Sequence, residues 1–338
     1  MVIVGGGFGG LYAARALAGV PVSITLIDRR NYHLFRPMLY QVATGLLSAD
    51  QISGPLRSIL SRQRNVEVLL DEVIGIDVQA RRVRLSEGDL RYDFLIVATG
   101  IQYNYFGHDD WQQIAPGLAS LEDADEIRGK VLLAFERAEE LAGLGHAAPE
   151  VIQHLLTFVL VGAGTVGVEM ASTLAEMSRM ALAHDFRHID PSAAQILLYE
   201  AESRVLPTFP EALSAKAQRH LEGLSVKVHT NTRVTVVDTE GIIAGGQRVF
   251  ASTVLWSAGV LASPAGRWLA AATDKSGRVI VNSDLSIPGH PDVIRRRSPG
   301  KVETQSPDRR SCADHHRRGY GGGRCPRRDN CRRRRASG

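Results

Sequence analysis

The chain twice runs from a short β-branched stretch into a GxGxxG turn and on into a helical pattern, and few architectures can use that arrangement even once. The first copy opens the sequence: Val2 to Val4, then Gly5, Gly7 and Gly10, then Leu11, Ala14 and Leu17 at helical spacing. In this setting the first glycine permits a tight turn, the second lets backbone approach a pyrophosphate, and the third lets the helix sit close on the strand. The amides at the helix N-terminus then meet negative charge. Asp28 closes the next apolar run, VSITLID, 18 residues after Gly10, the spacing of a carboxylate that holds a ribose hydroxyl pair.

The second copy, LTFVLVGAGTVGVEMA, spans Leu156 to Ala171, with Gly162, Gly164 and Gly167 after a strand over Phe158 to Val161. Its acid is Glu200, at the end of QILLYE and 33 residues past Gly167. The excess lies in Met177 to Ala194, read as an inserted loop or a helix extension. A carboxylate at 200 repels a 2′-phosphate and so favours NAD(H) over NADP(H). Glu169 lies two residues past the last glycine and has two readings. One is a favourable interaction with the helix dipole, worth ~0.3–1 kcal/mol; the other is a carboxylate beside the nicotinamide.

Two dinucleotide-binding units in tandem imply two cofactors facing each other, and one partnership that fits is a flavin that accepts hydride from a nicotinamide. At 338 residues and 44% hydrophobic, the chain can bury two cores. The predicted fold class is α/β, with two Rossmann-like domains. A first dinucleotide-binding segment is expected over 1–112, a second dinucleotide-binding domain over 113–265, and a return to the first domain over 266–293. No apolar run approaches the ~18 residues of a membrane helix, and the N-terminal stretch lacks a basic leader and cleavage site. A soluble, cytoplasmic body is expected. Met1 falls inside the first strand, which suggests that a few residues of that strand are missing through start-site assignment.

Between the motifs, Arg29 to Leu47 (RRNYHLFRPMLYQVATGLL) is too irregular for a plain amphipathic helix. It reads equally well as packing on the first domain or as a wall beside the cofactor's reactive ring. Strands are predicted over Val66 to Val73, Arg82 to Leu85 and Tyr92 to Gly100, the last ending in small residues that allow close backbone approach. Leu121 to Leu144 reads as a solvent-facing connecting helix. Short strands follow over Val226 to Val228, Arg233 to Val237 and Val254 to Gly259, and Val279 to Leu285 (VIVNSDL) is expected to begin the return.

Taken together, VIVGGGFGGL, RNYHLFRPMLYQVATGLL, the Ala98 to Gly100 ATG, LEDADEIR, FVLVGAGTVGVEMA, LPTFPEALSAKA and VLWSAGV resemble type II NADH dehydrogenases, single-chain flavoproteins built like glutathione reductase. The resemblance covers roughly Met1 to Val293. It implies FAD at Gly5, Gly7, Gly10, Asp28, Ala98, Thr99 and Gly100, and NADH at Gly162, Gly164, Gly167, Glu200, Ala258 and Gly259. It further implies that Pro37, Tyr40 and Gln41 lie near flavin and quinone, and that Glu169 sits close to the nicotinamide with a part in quinone reduction. The implied reaction passes hydride from NADH to the flavin and then reduces a membrane quinone without ion pumping, on a peripheral protein at the cytoplasmic face of the inner membrane. A homodimer is compatible with it. Relatives that reduce disulfides or oxidise sulfide need paired cysteines near the flavin, and residues 1–293 contain none.

The formal charge of +4 hides a split. Residues 294–338 carry 14 arginines and Lys301 against Glu303, Asp308, Asp314 and Asp329, a local +11 that leaves −7 for the body. This stretch is expected to be a disordered, Arg-rich tail, since it has too few large apolar residues for a core. It resembles an out-of-frame reading: a one-nucleotide shift at codons 294–297 can restore Phe-Val-Val-Gly where the family has an apolar strand. The arginines give at most nonspecific attraction to nucleic acid or an anionic membrane. No metal site is expected, because Cys312, His315, His316, Cys325 and Cys331 lack a CxxC knuckle. Two rivals stand beside quinone reduction: an inactive relative that binds at most NAD(H), and a soluble flavin reductase with another acceptor.

Overall fold

The computed structural model describes residues 1–145 and 147–295. Strand β1 (Val2–Val4) runs parallel to β2 (Ile24–Asp28), with Val2 opposite Thr25, and helix α1 (Phe8–Ala16) makes the crossover. After β2 the chain forms a short two-stranded ribbon, a 3₁₀ turn over Arg36–Met38 and helix α2 (Leu39–Ala43). It then returns through β3 (Val66–Leu70) beside β2 and β4 (Leu95–Val97) beside β1.

From there β5 (Ile101–Tyr103) leads out to α3 (Leu121–Gly143) and to a second parallel sheet. That sheet contains β6 (Thr157–Val161), β7 (Gln195–Tyr199), β8 (Lys227–His229) and β9 (Thr253–Trp256), in the order β8-β7-β6-β9. Helix α4 (Thr165–Glu176) joins β6 to β7, and α5 (Glu211–Gly223) joins β7 to β8. Strand β10 (Val260–Ala262) comes back antiparallel to β5, and β11 (Ser286–Ile287) and β12 (His290–Arg295) complete the first sheet in the order β11-β12-β4-β1-β2-β3. Each parallel sheet is covered on both faces, as such sheets must be. Antiparallel meanders at 73–91 and 234–250 cover one side of each. The sequence pattern did not reveal the last two strands of the second meander, Gly241–Ala244 and Gln247–Phe250.

Helices α2, α3 and α4 meet in one apolar cluster. Leu39 and Val42, Ile127, Val131 and Phe135, and Met170 and Ala171 are among its members from the three helices. The expectation of a solvent-facing α3 is therefore corrected: its apolar positions form a buried stripe, and only the opposite face is charged.

Two strand expectations are also corrected. Val66 to Val73 is not one strand, because the Asp71 carboxylate accepts from the amides of Glu72 and Ser86 and turns the chain out of the sheet at Leu70. Tyr92 to Gly100 is in the sheet only over Leu95–Val97, which leaves Ala98 to Gly100 free beyond its edge. Val279 packs with Val2, Val4 and Ile27 in the apolar cluster of the first sheet. Beyond it Asp284 accepts from the Ser286 amide at 2.9 Å and Leu285 adopts φ +69°, so the segment turns before β12 joins the sheet with Val293 opposite Leu95. That strand runs to Arg295, two residues past the expected end of the body. The expected tail from Arg296 onward, with its cysteines and histidines, lies outside the described residues.

Candidate functional site

The first glycine loop closes because its glycines are short of space on one side and open on the other. A Cβ at Gly5, which sits at φ +103°, would lie 2.5 Å from the Ala98 carbonyl oxygen, and one at Gly10 would lie 1.8 Å from that of Gly5. At Gly7, the residue that caps α1, a Cβ would meet nothing within 4 Å. Backbone is thus packed tightly behind the loop and bare in front of it, as an anion site at a helix N-terminus requires. The Asp28 carboxylate accepts from the Gly6 amide at 2.6 Å and from the Arg30 amide at 2.8 Å. A cavity of about 1490 Å³ opens in front, lined by Gly5, Gly7, Asp28, Ala98, Thr99 and Gly100 among others. Gly10 stays behind the loop, in the strand–helix contact. Thr99 and Ser263 share a hydroxyl–hydroxyl hydrogen bond at the cavity wall.

The second loop repeats the design. Gly162 sits at φ +101° with Ala258 against it; a Cβ at Gly167 would lie 1.9 Å from the Gly162 oxygen and 2.7 Å from Ser257 Oγ, while one at Gly164 would meet nothing within 4 Å. Glu200 accepts from the Ala163 amide at 2.7 Å and from the Glu202 amide at 3.0 Å. Its long spacing does not displace it. Met177–Ala181 extends α4 by one π-helical turn, and the loop beyond is pinned by Glu139, which accepts from the amides of Arg187, His188 and Ile189. Gly259 turns at φ +67° beside Phe106 and Asn104. Ser257 was not singled out from the sequence; its hydroxyl donates to the Val161 and Gly162 carbonyls at 2.9 and 2.7 Å.

Pro37, Tyr40 and Gln41 do not line the large cavity. They lie on the 3₁₀ turn and α2, with Gln41 Nε2 donating to Tyr40 Oη at 3.0 Å. Helix α2 packs against α4, whose second turn carries Glu169. The Glu169 side chain is half-buried, makes no hydrogen bond or ion pair among the described residues, and is pushed up in pKa by burial. Of its two readings, the helix-dipole one gains no capping bond from the structure.

Sequence reasoning missed the polar group at the cavity rim. Arg30 Nη2 lies 2.9 Å from Glu122 Oε2, and Tyr32 Oη donates to Glu122 Oε1 at 3.2 Å. Burial alone would lift the Glu122 carboxyl, but Arg30 and backbone donors pull it down to about 2. Burial and the Glu122 charge push the Tyr32 hydroxyl up to about 12. A pairing 92 residues apart leaves no signal in local spacing.

The profile of the pyridine nucleotide-disulphide oxidoreductase family matches residues 1–293. The chain is 46% identical over 308 residues to the type II NADH:quinone oxidoreductase NdhA of Mycobacterium tuberculosis, an alignment covering 87% of this chain and 64% of that one. It is 44% identical to Ndh of the same organism, covering 87% and 65%. The chain thus spans less than two thirds of the length of these two relatives. A solved structure of NDH2 from Plasmodium falciparum in complex with NADH shares the fold at a TM-score of 0.78 and 23% identity, over 87% of this chain and 63% of that one. The same glycine and acid geometry twice over, within a profile match that takes in both sheets, makes this chain a member of the pyridine nucleotide-disulphide oxidoreductase family.

Proposed function

We propose that this chain is built as an FAD-dependent NADH:quinone oxidoreductase. The observation that carries the reading is the duplicated loop: Asp28 and Glu200 each tie down the amide that follows the first glycine, and each loop has bare backbone at its second glycine. The first site fits FAD, since the cavity has room for a dinucleotide and Gly7 leaves α1 open to a diphosphate. Gly5, Gly7, Asp28 and Ala98 to Gly100 would hold it there, with Gly10 supporting the loop. When bound, the flavin supplies the two-electron chemistry.

The chain's own groups do the rest. Gly162, Gly164, Ala258 and Gly259 shape the NADH loop, Gly167 packs its helix down, and Glu200 takes the ribose. Glu169, half-buried and pushed up in pKa by burial, is the carboxyl we assign to proton handling beside the nicotinamide. Pro37, Tyr40 and Gln41 form the wall on the quinone side. Residues 1–293 contain no cysteine, so disulfide reduction is not open to the described body. Among the described residues no helix is long and apolar enough to cross a membrane. Quinone would be met from a membrane surface, at the cytoplasmic face, without ion pumping.

The test is the FAD-to-protein ratio of the full chain, followed by NADH oxidation with a short-chain quinone and with ferricyanide. A ratio near one with quinone turnover is expected. A ratio near zero even with added FAD overturns the reading, and turnover with ferricyanide alone points to a flavin reductase instead.

One observation favours the second reading, a relative that holds flavin poorly. Arg295 is buried on β12 beside Val97, and its Nη1 has no hydrogen-bond partner among the described residues. The register slot faces apolar neighbours and suits the valine that a restored frame would supply.

A further inference from the structure

The segment from His33 to Arg36 lies along the first glycine loop. Phe8, the first residue of α1, meets the His33 and Phe35 rings edge-on at 5.0 and 5.6 Å, and His33 Nδ1 lies 3.0 Å from the Gly6 carbonyl oxygen. Three arginines line the cavity in front of this loop: Arg29, Arg30 and Arg36. Arg29 is exposed to solvent, and Arg30 is paired with Glu122. Arg36 is half-buried, and among the described residues its guanidinium makes no hydrogen bond or ion pair.

The ionisable groups that face Arg36 are Tyr103, Asp123 and Arg30. Tyr103 Oη donates to the Leu118 carbonyl at 3.0 Å, and the Asp123 carboxylate accepts from the Ala119 and Ser120 amides, both at 2.9 Å. Arg30 has the same sign. Burial lowers the Arg36 pKa, and the opposing influence of Tyr103 and Asp123 does not make up for it. The guanidinium lies at the end of β4, where a Cβ at Gly100 would stand 4.0 Å from Nη1.

A half-buried cation with a five-donor fork is costly unless an anion meets it. We propose that Arg36 receives the diphosphate of the dinucleotide seated on the first glycine loop, sharing it with the amides at the α1 N-terminus. The assignment rests on the flavoprotein reading and adds a charge-specific contact to it. The helix end supplies amides and a partial charge; Arg36 supplies a full charge and two parallel donors.

The test uses the full chain stripped of flavin and titrated with FAD and with riboflavin, which lacks phosphate, following flavin fluorescence at low and high salt. Arg36→Gln is expected to weaken FAD binding by roughly tenfold or more and to flatten its salt dependence, while riboflavin affinity changes by less than about twofold. Arg36→Lys keeps the charge without the fork and is expected to fall between; it carries the comparison if Arg36→Gln does not refold. Equal FAD affinity in wild type and variant overturns the proposal alone. Equal losses for FAD and riboflavin also overturn it, because they mark a packing role. A wild-type chain that takes up no FAD overturns the flavoprotein reading and this proposal with it.

Discussion

Arg30 and Glu122 close a salt bridge of 2.9 Å between the loop that follows β2 and the first turn of α3. The pair stands at the mouth of the FAD-sized cavity, and Tyr32 adds a hydrogen bond to the same carboxylate. Glu122→Gln is expected to speed FAD release about two- to fivefold, as for a pair largely open to solvent. The sign with pH follows from the depressed carboxyl. Its contribution is complete above the ordinary value of 4.5 and is lost as pH falls toward about 2. Stopped-flow release of FAD at pH 7 checks the first, and the difference in unfolding free energy between wild type and variant at pH 7 and pH 3 checks the second, shrinking at pH 3.

Glycines of one motif should fail in different ways. A methyl at Gly164 meets nothing within 4 Å, so Gly164→Ala is expected to leave the melting temperature nearly unchanged while obstructing the nucleotide. A methyl at Gly167 runs into the Gly162 carbonyl at 1.9 Å, so Gly167→Ala should destabilise the second sheet by about 2 kcal/mol or more. Calorimetry alongside NADH binding separates the two.

Glu200 is tied to the loop amide and to Glu202, which leaves its carboxylate fixed where a ribose would sit. Glu200→Gln should raise the KM for NADH about tenfold and narrow the preference over NADPH. Steady-state kinetics with both nucleotides measures it; an unchanged NADH:NADPH ratio counts against this carboxylate as the selector.

Arg295 occupies a slot that its neighbours make apolar. Val293, on the same face of β12, packs in a cluster with Leu95 and Val97. Arg295→Val removes an unmet donor from that cluster and is expected to stabilise the protein by about 1–3 kcal/mol. A melting temperature that stays level or falls would show that the guanidinium is already accommodated.

The two nucleotide loops were legible because their signal is local: glycines at fixed spacing, then a strand ending in an acid. Glu200 still reaches the second loop despite the long insertion before it, because the π turn and the Glu139 clamp absorb the extra residues ahead of β7. What escaped was set by distant partners. Ser257 acts on the Gly162 loop from 95 residues away, and Glu122 answers Arg30 across the cavity. VIVNSDL alternates like a strand, yet Asp284 and the left-handed Leu285 turn it, a preference that hydrophobic period alone does not carry. Arg295 carries the opposite lesson: sequence read it as the start of a foreign stretch, while sheet pairing draws its backbone into the first sheet.

Strands β5 and β10 are antiparallel neighbours, with Tyr103 directly opposite Val260. The polypeptide therefore leaves for the second sheet and comes back from it at one point, a single strand spacing apart. Residues 104–259 are in effect a cassette slotted into a host whose two broken ends already touch. Such a module can be lengthened or exchanged over evolutionary time, provided that its replacement again covers Leu39 and Val42 of α2.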